Sequence, residues 1–359
     1  MTRHAAARAA IKLPVLAAAI LAFIAVSALA HADSDATFVD DAGRQVTVPQ
    51  HIGKIFVAGP PAALLLYSLA PDMMLGWSQP LGDSAKGLLP ARYAALPVLG
   101  RLTGHGQTVD PARLQELHPD LILDVGDVDS GYVALADKIQ QQSGIPYVLM
   151  NGHLDHSALT YRRLGQLLGR EKRAEALTRY AEHVLHDLPA AIKSARNATG
   201  SPIWNVYYGR GDDGLQSAGP GNINLDLIDL LGFHNVMTGH LPNRLTSTTS
   251  AEIAANRPEV ILAQHQVFLA AIRNAPDWRS VPAVKEHRLY AQPLDPFGWA
   301  DDPPGVNRLL GAQWLALQLC PHLHWPDLAK SVTDFYRLFY QIDLTPAQTR
   351  ALLRQASAQ

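Results

Sequence analysis

The sequence predicts an α/β protein with two lobes, each built on a parallel sheet, joined by a single long α-helix. A helical run extends from Tyr161 to Ala195, and a helix–strand unit occurs on both sides of it. Short apolar segments alternate with amphipathic stretches elsewhere, as in βαβ folds. The expected units are a leader at 1–32, an N-terminal lobe at 33–160, the linking helix at 161–197 and a C-terminal lobe at 198–359.

The linking helix is indicated by apolar residues spaced three and four apart, beginning with Leu164, Leu167 and Leu168. This is helical periodicity, not the alternation of a strand. Gly169 interrupts the run, and a glycine inside a helix costs about 1 kcal/mol relative to alanine. The sequence therefore leaves open whether the run is one helix or two.

The repeated helix–strand unit reads ARLQELHPDLIL over Ala112–Leu123 and AEIAANRPEVIL over Ala251–Leu262, an offset of 139 residues (251 minus 112). Proline and the residue before it disfavour helix, so each unit predicts a helix that ends before its proline. The apolar run that follows is typical of a parallel strand covered on both faces. The two halves are therefore related.

Other elements follow from turn residues and apolar runs. Thr37–Val48 predicts a hairpin that turns at Asp41–Arg44. Further strands are expected at Ile55–Ala58, Met74–Trp77, Leu121–Asp124, Tyr147–Met150, Ile203–Tyr207, Val260–Ala263 and Arg288–Ala291. Further helices are expected at Ala62–Ala70, Asn224–Leu231 and Pro304–Leu319, with a helical region up to about Leu353.

The first 32 residues have the pattern of a secretory signal peptide, with Arg3, Arg8 and Lys12 preceding the apolar run Leu13–Ala28. A membrane anchor is the alternative, but a span needs roughly 20 apolar residues and this run is shorter. Cleavage is expected after Ala32, and no cysteine nearby could carry a lipid. The sequence predicts a free periplasmic protein.

Charge and cysteine content exclude some classes of function and an internal disulfide. The net charge is −2 and becomes −5 without the leader, since 27 basic residues then face 32 acidic ones. A mildly acidic chain argues against nucleic-acid or membrane-surface binding. Cys320 is the single cysteine, so no internal disulfide is expected, and its apolar surroundings predict a buried small hydrophobe.

Candidate ligand residues lie in loops after strands, where open α/β lobes bind ligands in the cleft between them. Arg101 offers planar paired donors for a carboxylate or other oxyanion, with an ion pair between loops as the alternative. His105 is a candidate for metal or anion binding, unless it is merely exposed. Because strand side chains alternate, one tyrosine after Ile203 should face the cleft, and Tyr208 is chosen with Arg210.

His265, Trp299 and Trp77 complete the candidate set, although aromatic residues in such loops are often core residues. His153 and His156 form at most an incomplete zinc site, and no metal is assigned. The sequence lacks Gly-x-Ser-x-Gly, His-Glu-x-x-His and a P-loop. It predicts neither an enzyme nor a resident cofactor. The alternative is an exported enzyme or metal-handling accessory protein, with a titratable cluster such as His105, Asp127 and His265.

Several segments resemble class III substrate-binding proteins of ABC importers. They are TFVDDAGRQVTVP, LHPDLIL, RPEVIL, IDLLGFHNV, VPAVKEHRLY, RLLGAQWLALQLCP and FYRLFYQIDLT, which together extend over nearly all of 37–355. The resemblance implies two Rossmann-like lobes on one helix, with modest hinge motion on binding. It implies a monomer that captures a metal-containing complex and delivers it to an inner-membrane ABC permease with its ATPase. An iron–siderophore is the first choice, and haem, cobalamin and molybdate are alternatives.

The sequence departs from that family at the docking positions. Members commonly carry a glutamate early in the helix of each repeated unit, where it pairs with permease arginines. Here the equivalent positions are Ala112, with Asp110 nearby, and Ala251, with Glu252 beside it. The usual charge pairs with a permease are therefore in doubt.

Overall fold

Two parallel sheets form the frame of the protein. The computed structural model describes residues 36–104 and 109–357, apart from the side chains of residues 111 and 112. The predicted leader lies outside these residues. The first sheet has the order β3-β4-β5 and the second β11-β10-β6-β8, and all pairs within them are parallel. Two small antiparallel sheets, β1-β2 and β7-β9, accompany them.

The elements alternate along the chain as the sequence predicts, and the α/β fold class is confirmed. The strands are β1 Ala36–Val39, β2 Gln45–Val48, β3 Ile55–Val57, β4 Leu121–Gly126, β5 Tyr147–Asn151, β6 Asn205–Gly209, β7 Gln216–Ser217, β8 His234–Asn235, β9 Thr246–Ser247, β10 Val260–Ala263 and β11 Leu289–Ala291. The α-helices are α1 Pro60–Leu69, α2 Ala85–Leu88, α3 Ala91–Ala94, α4 Pro111–Leu117, α5 Ser130–Ser143, α6 Ser157–Leu167, α7 Glu171–Glu182, α8 Leu188–Thr199, α9 Asp226–Leu230, α10 Ser250–Ala255, α11 Gln266–Ile272, α12 Pro282–Lys285, α13 Arg308–Leu319, α14 Leu328–Phe335 and α15 Pro346–Ser357.

The repeated unit forms α4 with β4 in the first half and α10 with β10 in the second. The repeat extends to the backbone, because His118 and Arg257 have φ of 46° and 49°. These two residues are also 139 positions apart (257 minus 118), and each stands directly before the proline. A left-handed residue followed by proline ends the helix and directs the chain into the strand.

The linking segment consists of two packed helices, not one. Helix α6 ends at Leu167, Gly169 has φ +61°, and helix α7 begins at Glu171. Helix α7 continues through a π-helical turn, His183–Asp187, into α8. The two helices approach closely, since a Cβ on Gly165 would lie 2.2 Å from the Ala174 Cβ. The continuous helix thus runs over residues 171–199, and of the two possibilities that the sequence left open, the break at Gly169 is the one observed.

The structure also tests the predicted strand at Met74–Trp77 and the predicted burial of Cys320. Met74–Trp77 is not a strand, since Met74 and Trp77 each form only an isolated bridge, to Ile55 and Val98. Cys320 is buried with its thiol free, as predicted. Within the described residues, no helix combines the length and apolar character needed to cross a membrane.

The C-terminal helices return to the first half of the chain. The Tyr67 hydroxyl donates to the Tyr340 carbonyl at 2.7 Å, and the Gln348 side chain donates to the Gly87 carbonyl at 2.8 Å. Tyr67 and Tyr340 are both buried. The expected boundary at residue 198 therefore does not separate the contacts of the two halves completely.

Candidate functional site

A cavity of about 460 Å³ lies where loops of the two halves meet. Small-molecule sites typically occupy about 300–1,000 Å³, so its size suits an organic ligand or metal complex. Its polar lining from the first half is Gln79, Arg101, Thr103, Asp127, Asp129 and Tyr132. Its polar lining from the second half is Arg210, Asn222, Asn224, Asn243, Arg244 and Asp302.

The sheets place these loops at their carboxyl edges. Strand β4 ends at Gly126 and is followed at once by Asp127, while β6 ends at Gly209 and is followed by Arg210. Strand β3 leads into Pro60 and Pro61 at the start of α1, and both prolines also line the cavity. Parallel α/β sheets bind ligands beyond these ends, and the cavity follows that rule.

Arg210 is held rigidly at the cavity wall. It is 8% exposed, its Nε donates to Asp301, and its Nη1 donates to Gln216 Oε1 at 2.9 Å. Burial alone would lower the pKa of Arg210, but its interactions with Asp301, Tyr208 and Asp302 together outweigh burial and raise it. Its Nη2 donates to none of the described residues. Arg210 is therefore a permanently charged group with donor capacity left for a ligand.

Asp301 is the centre of the network behind Arg210. It is 0% exposed and accepts from the backbone N–H of Asp302 at 2.7 Å. The Tyr208 hydroxyl donates to it more weakly at 3.4 Å. With its amide nitrogen turned toward Asp301, Asn224 donates at 3.1 Å. Burial and the neighbouring charge of Asp301 raise the pKa of Asp302.

The first half contributes Arg101 on a loop fixed by a buried carboxylate. The Thr103 hydroxyl donates to Asp124 at 3.0 Å and the Tyr147 hydroxyl donates to Asp124 at 2.7 Å. Asp124 is 1% exposed, and burial raises its pKa despite these bonds. Arg101 Nη1 donates to Gln79 Oε1 at 3.4 Å. The buried network thus fixes the loop that carries Arg101 into the cavity.

A charged bridge lies beside the cavity. His153 Nδ1 is 3.0 Å from Asp226 Oδ1, and its Nε2 is 3.5 Å from Asp127 Oδ1. Hydrogen bonds to Asp127 and Asp226 raise the pKa of His153 to about 10, against the effect of burial. Arg308 donates from Nη1 to Asp226 Oδ2 at 2.8 Å and from Nη2 to the Gly152 carbonyl at 2.6 Å. These bonds connect the two halves.

The two candidate zinc histidines have separate partners. His153 contacts the carboxylates of the bridge, whereas His156 Nδ1 lies 2.8 Å from Asp155. Among residues 36–104 and 109–357, no group of three or more His, Cys, Asp or Glu side chains could hold a metal ion.

Arg101 and Arg210 line the cavity from opposite halves, whereas Tyr208 and Trp299 do not line it. Tyr208 is 1% exposed and faces the core behind Arg210. Tyr207 is also buried, on the other face of the sheet. Helices cover both faces of this sheet. The alternation of side chains along β6 therefore determines which face each tyrosine lies on, but not whether it reaches the cleft. Trp299 is 0% exposed and packs edge-on against Trp314, with ring centroids 6.4 Å apart. The structure thus places both side chains in the core, away from the lining of this cavity.

The remaining predicted residues lie elsewhere. Trp77 is buried, donates from Nε1 to the Tyr93 carbonyl at 2.9 Å and lines a smaller adjacent cavity. His265 is away from the lining of the main cavity, with Nδ1 2.6 Å from Asp212 Oδ1. His105 lies outside the described residues, so its predicted role stays a prediction.

Sequence analysis missed Asn222, Asn224, Asn243 and Arg244. They occur in loops without apolar periodicity, and their nearest signal is the turn-forming run Gly219-Pro220-Gly221. Asp301 was also missed, since an acidic pair such as Asp301-Asp302 before two prolines resembles any surface loop. Neither the four loop residues nor Asp301 could be assigned to the cavity from sequence, because the assignment depends on how the two halves pack together.

Comparisons with known proteins agree with this architecture. A family model described as periplasmic binding protein matches residues 79–296. The molybdate-binding protein MolA of Haemophilus influenzae is 23% identical over 364 residues, covering 92% of this chain and 97% of that protein. An ABC transporter solute binding protein from Sulfurospirillum deleyianum superposes with a TM-score of 0.76 at 25% identity, over 89% of this chain and 99% of its own. The structure of MolA bound to molybdate superposes with a TM-score of 0.69 at 21% identity, over 87% of this chain and 100% of its own.

Proposed function

The chain belongs to the periplasmic binding protein family, and we propose that it captures an anionic metal complex in the cleft and delivers it to an ABC permease. An iron–siderophore or a related chelate is the first candidate for that complex. The observation that carries the proposal is the pair of arginines, Arg101 and Arg210, that line one cavity of about 460 Å³ from opposite halves. The relatives found by comparison are solute-binding proteins, not enzymes.

The donors favour an anion. Guanidinium groups match carboxylate and other oxyanions with paired, charge-assisted bonds. Arg210 is fixed by Asp301 and Gln216, so little rotamer entropy is lost when it binds. Arg244 is exposed at the same cavity, and its side chain has no hydrogen-bond or ion-pair partner among the described residues.

The mixed lining favours a complex with an organic component over a bare ion. Asp127, Asp129 and Tyr132 line the same cavity as the arginines. Carboxylates accept bonds from hydroxyl or amide groups, which a chelator can supply and a naked oxyanion lacks. A ligand that carries both anionic oxygens and hydrogen-bond donors satisfies both sets of side chains.

Molybdate is the second candidate. The observation that favours it is the similarity to the molybdate-binding protein MolA, which covers 92% of this chain. Arginine and asparagine amide donors also suit a tetrahedral oxyanion. The large cavity then requires either several ordered waters or closure of the two halves around the ion.

Delivery requires contact with a permease. Glu252 at the start of α10 is exposed and belongs to a capping box with Thr249. The hydrogen bond from Thr248, reinforced by those of Thr249, lowers the pKa of Glu252, so it carries charge at neutral pH. We assign Glu252 and Asp110 as the acidic docking positions of the two halves. Export with cleavage after Ala32 completes the proposal, and N-terminal sequencing of the secreted protein tests it.

A thermal-shift screen tests the function. The mature protein is mixed with ferric siderophores, haem, cobalamin and molybdate, each near 100 times its expected Kd. A true ligand adds about 2.7 kcal/mol to the free energy of unfolding and raises Tm by several degrees. The Arg210→Gln variant should lose the shift, while Arg179→Gln on the linking helix should keep it. A wild-type protein that responds to none of these ligands contradicts the proposal.

A further inference from the structure

One loop at the wall of the main cavity is held in a single conformation from inside the second half. Gln292, directly after β11, is 4% exposed, and its side-chain oxygen accepts from the backbone N–H groups of Ala300 at 2.7 Å and Asp301 at 2.9 Å. The Gly298 N–H donates to the Asp302 carbonyl at 3.0 Å. A Cβ on Gly298 would lie 2.0 Å from the Asp301 carbonyl oxygen, so only glycine permits this close approach of two backbone segments. The loop is therefore fixed by bonds at both of its ends.

The backbone of this loop is strained at Asp302. Its φ is +79°, which is uncommon for a residue other than glycine. Its N–H donates to Asp301 Oδ1 at 2.7 Å, which holds the strained conformation in place. Strained residues of this kind persist where the surrounding structure holds them, and they concentrate at ligand sites.

The carboxylate of Asp302 is available to a ligand. Asp302 is exposed and lines the main cavity, and its side chain has no hydrogen-bond or ion-pair partner among residues 36–104 and 109–357. Arg210 lines the same cavity, and the charges of Arg210 and Asp302 interact. A negatively charged acceptor thus stands beside the arginine that is proposed to bind an anion.

We propose that Asp302 is a specificity-determining residue, which excludes oxyanions that carry no proton and selects a solute with a hydroxyl, amide or ammonium group beside its anionic oxygens. Such a donor bonds the carboxylate, whereas a fully deprotonated oxyanion at Arg210 meets a like charge. An unpaired charge placed against the wrong ligand is a general source of specificity, and a site that bonds a donor rejects the analogue without it. The inference rests on the proposed function and narrows it to chelates with such donors, in contrast to the molybdate bound by MolA.

The test compares molybdate with hydrogen arsenate at pH 8. Both ions are tetrahedral dianions at this pH, and only hydrogen arsenate carries a hydroxyl group. Calorimetric titration of the mature protein gives the Kd of each ion. We expect the wild type to bind hydrogen arsenate at least tenfold more tightly than molybdate.

Two variants remove the carboxylate. Asp302→Asn supplies an amide donor in its place, and asparagine tolerates a positive φ. It should bind molybdate at least tenfold more tightly than the wild type does, and bring the ratio of the two Kd values to about one. Asp302→Gly suits the same backbone conformation and should also bring the ratio to about one.

Asp213→Asn is the matched control for the loss of one negative charge. Asp213 is exposed in the same half and does not line the main cavity. Its side chain accepts from the Leu215 N–H at 3.0 Å, which asparagine can also do. The ratio of the two Kd values should equal that of the wild type, because a general change in charge affects two dianions alike.

The outcomes separate this inference from the proposed function. A wild-type ratio near one, or an unchanged ratio in the folded Asp302→Asn and Asp302→Gly variants, overturns the role of Asp302, while binding of a ferric siderophore or of molybdate retains the function. If the wild type binds neither ion but binds a siderophore, a gain of molybdate binding by Asp302→Asn supports the role and its absence overturns it. Failure of the wild type to bind either ion and every chelate of the thermal-shift screen overturns both proposals.

Discussion

His153 Nδ1 lies 3.0 Å from Asp226 Oδ1. His153 follows β5 in the first half of the chain, and Asp226 is the first residue of α9 in the second half. Burial tends to raise the pKa of Asp226, but the bond to His153 and the charge of Arg308 hold it below its usual range. Asp127, the other partner of His153, lines the cavity. Ion pairs between the two halves thus lie beside the proposed ligand site.

Replacing His153 with glutamine should lower stability in a pH-dependent way. The folded pKa of about 10 is raised above the ordinary 6.5. The stabilisation is therefore complete below about pH 6.5 and disappears as pH rises through about 10. After allowance for solvent screening, we expect the variant to lose about 1–2 kcal/mol at pH 6 and almost nothing at pH 10.5. Urea unfolding at both pH values measures this.

His156→Gln is the control for that experiment, because His156 is 43% exposed and pairs with its neighbour Asp155. It should change the free energy of unfolding little at either pH. Equal losses for His153→Gln at pH 6 and 10.5 would show that its charge does not matter.

Arg210→Lys should weaken ligand binding at least tenfold although it preserves the charge. Lysine lacks the planar fork that lets Arg210 bond Asp301 and Gln216 while leaving Nη2 for a ligand. Titration of the ligand found in the screen measures the Kd. Arg179→Lys on the linking helix provides the matched control. An unchanged Kd for Arg210→Lys would remove Arg210 from the site.

Tyr208→Phe should change affinity less than threefold. Its hydroxyl reaches Asp301 at 3.4 Å and the side chain is 1% exposed, so it cannot touch a ligand in the main cavity. Loss of this bond should reduce the free energy of unfolding by about 1 kcal/mol. Chemical unfolding and titration of the same preparation measure both. A tenfold loss of affinity with unchanged stability would instead return Tyr208 to the ligand site.

Gly169→Ala should destabilise the protein by about 1 kcal/mol, because φ of +61° is costly for a residue with a Cβ. Gly87→Ala is the control, since Gly87 lies in α2 with a negative φ and open space around it. It should be neutral or slightly stabilising. Thermal unfolding compares the two. Equal stability of both variants would contradict the idea that Gly169 sets the break between α6 and α7.

Local patterns predicted much of the fold. The repeated helix–strand unit, the β1–β2 hairpin and the parallel strands follow from periodicity and turn residues. The sequence left open whether the linking helix breaks at Gly169 because the periodicity continues across this glycine, and the backbone conformation there is decided by packing of α6 on α7. Met74–Trp77 has strand composition, yet it pairs at single residues.

The candidate site was predicted less completely, for a physical reason. Arg210 could be found because it directly follows a buried strand, and Arg101 because it lies in a loop between Gly100 and Gly104. Tyr208 lies in β6 and Trp299 follows β11, but apolar surface favours burial, and the covering helices decide whether solvent reaches these side chains. Asn224 and Asp301 join the site through contacts between segments distant in sequence, which no local pattern contains.

Equilibrium dialysis of the mature protein against ferric siderophore, ferric catecholate and molybdate tests whether the cleft binds a metal complex through Arg210. The measurement is metal retained per chain, for the wild type and for Arg210→Gln, with Arg179→Gln as control. We expect one metal complex per chain of wild type and of the control, and almost none for Arg210→Gln. Equal metal retention by Arg210→Gln and wild type, or no retention by either, would contradict it.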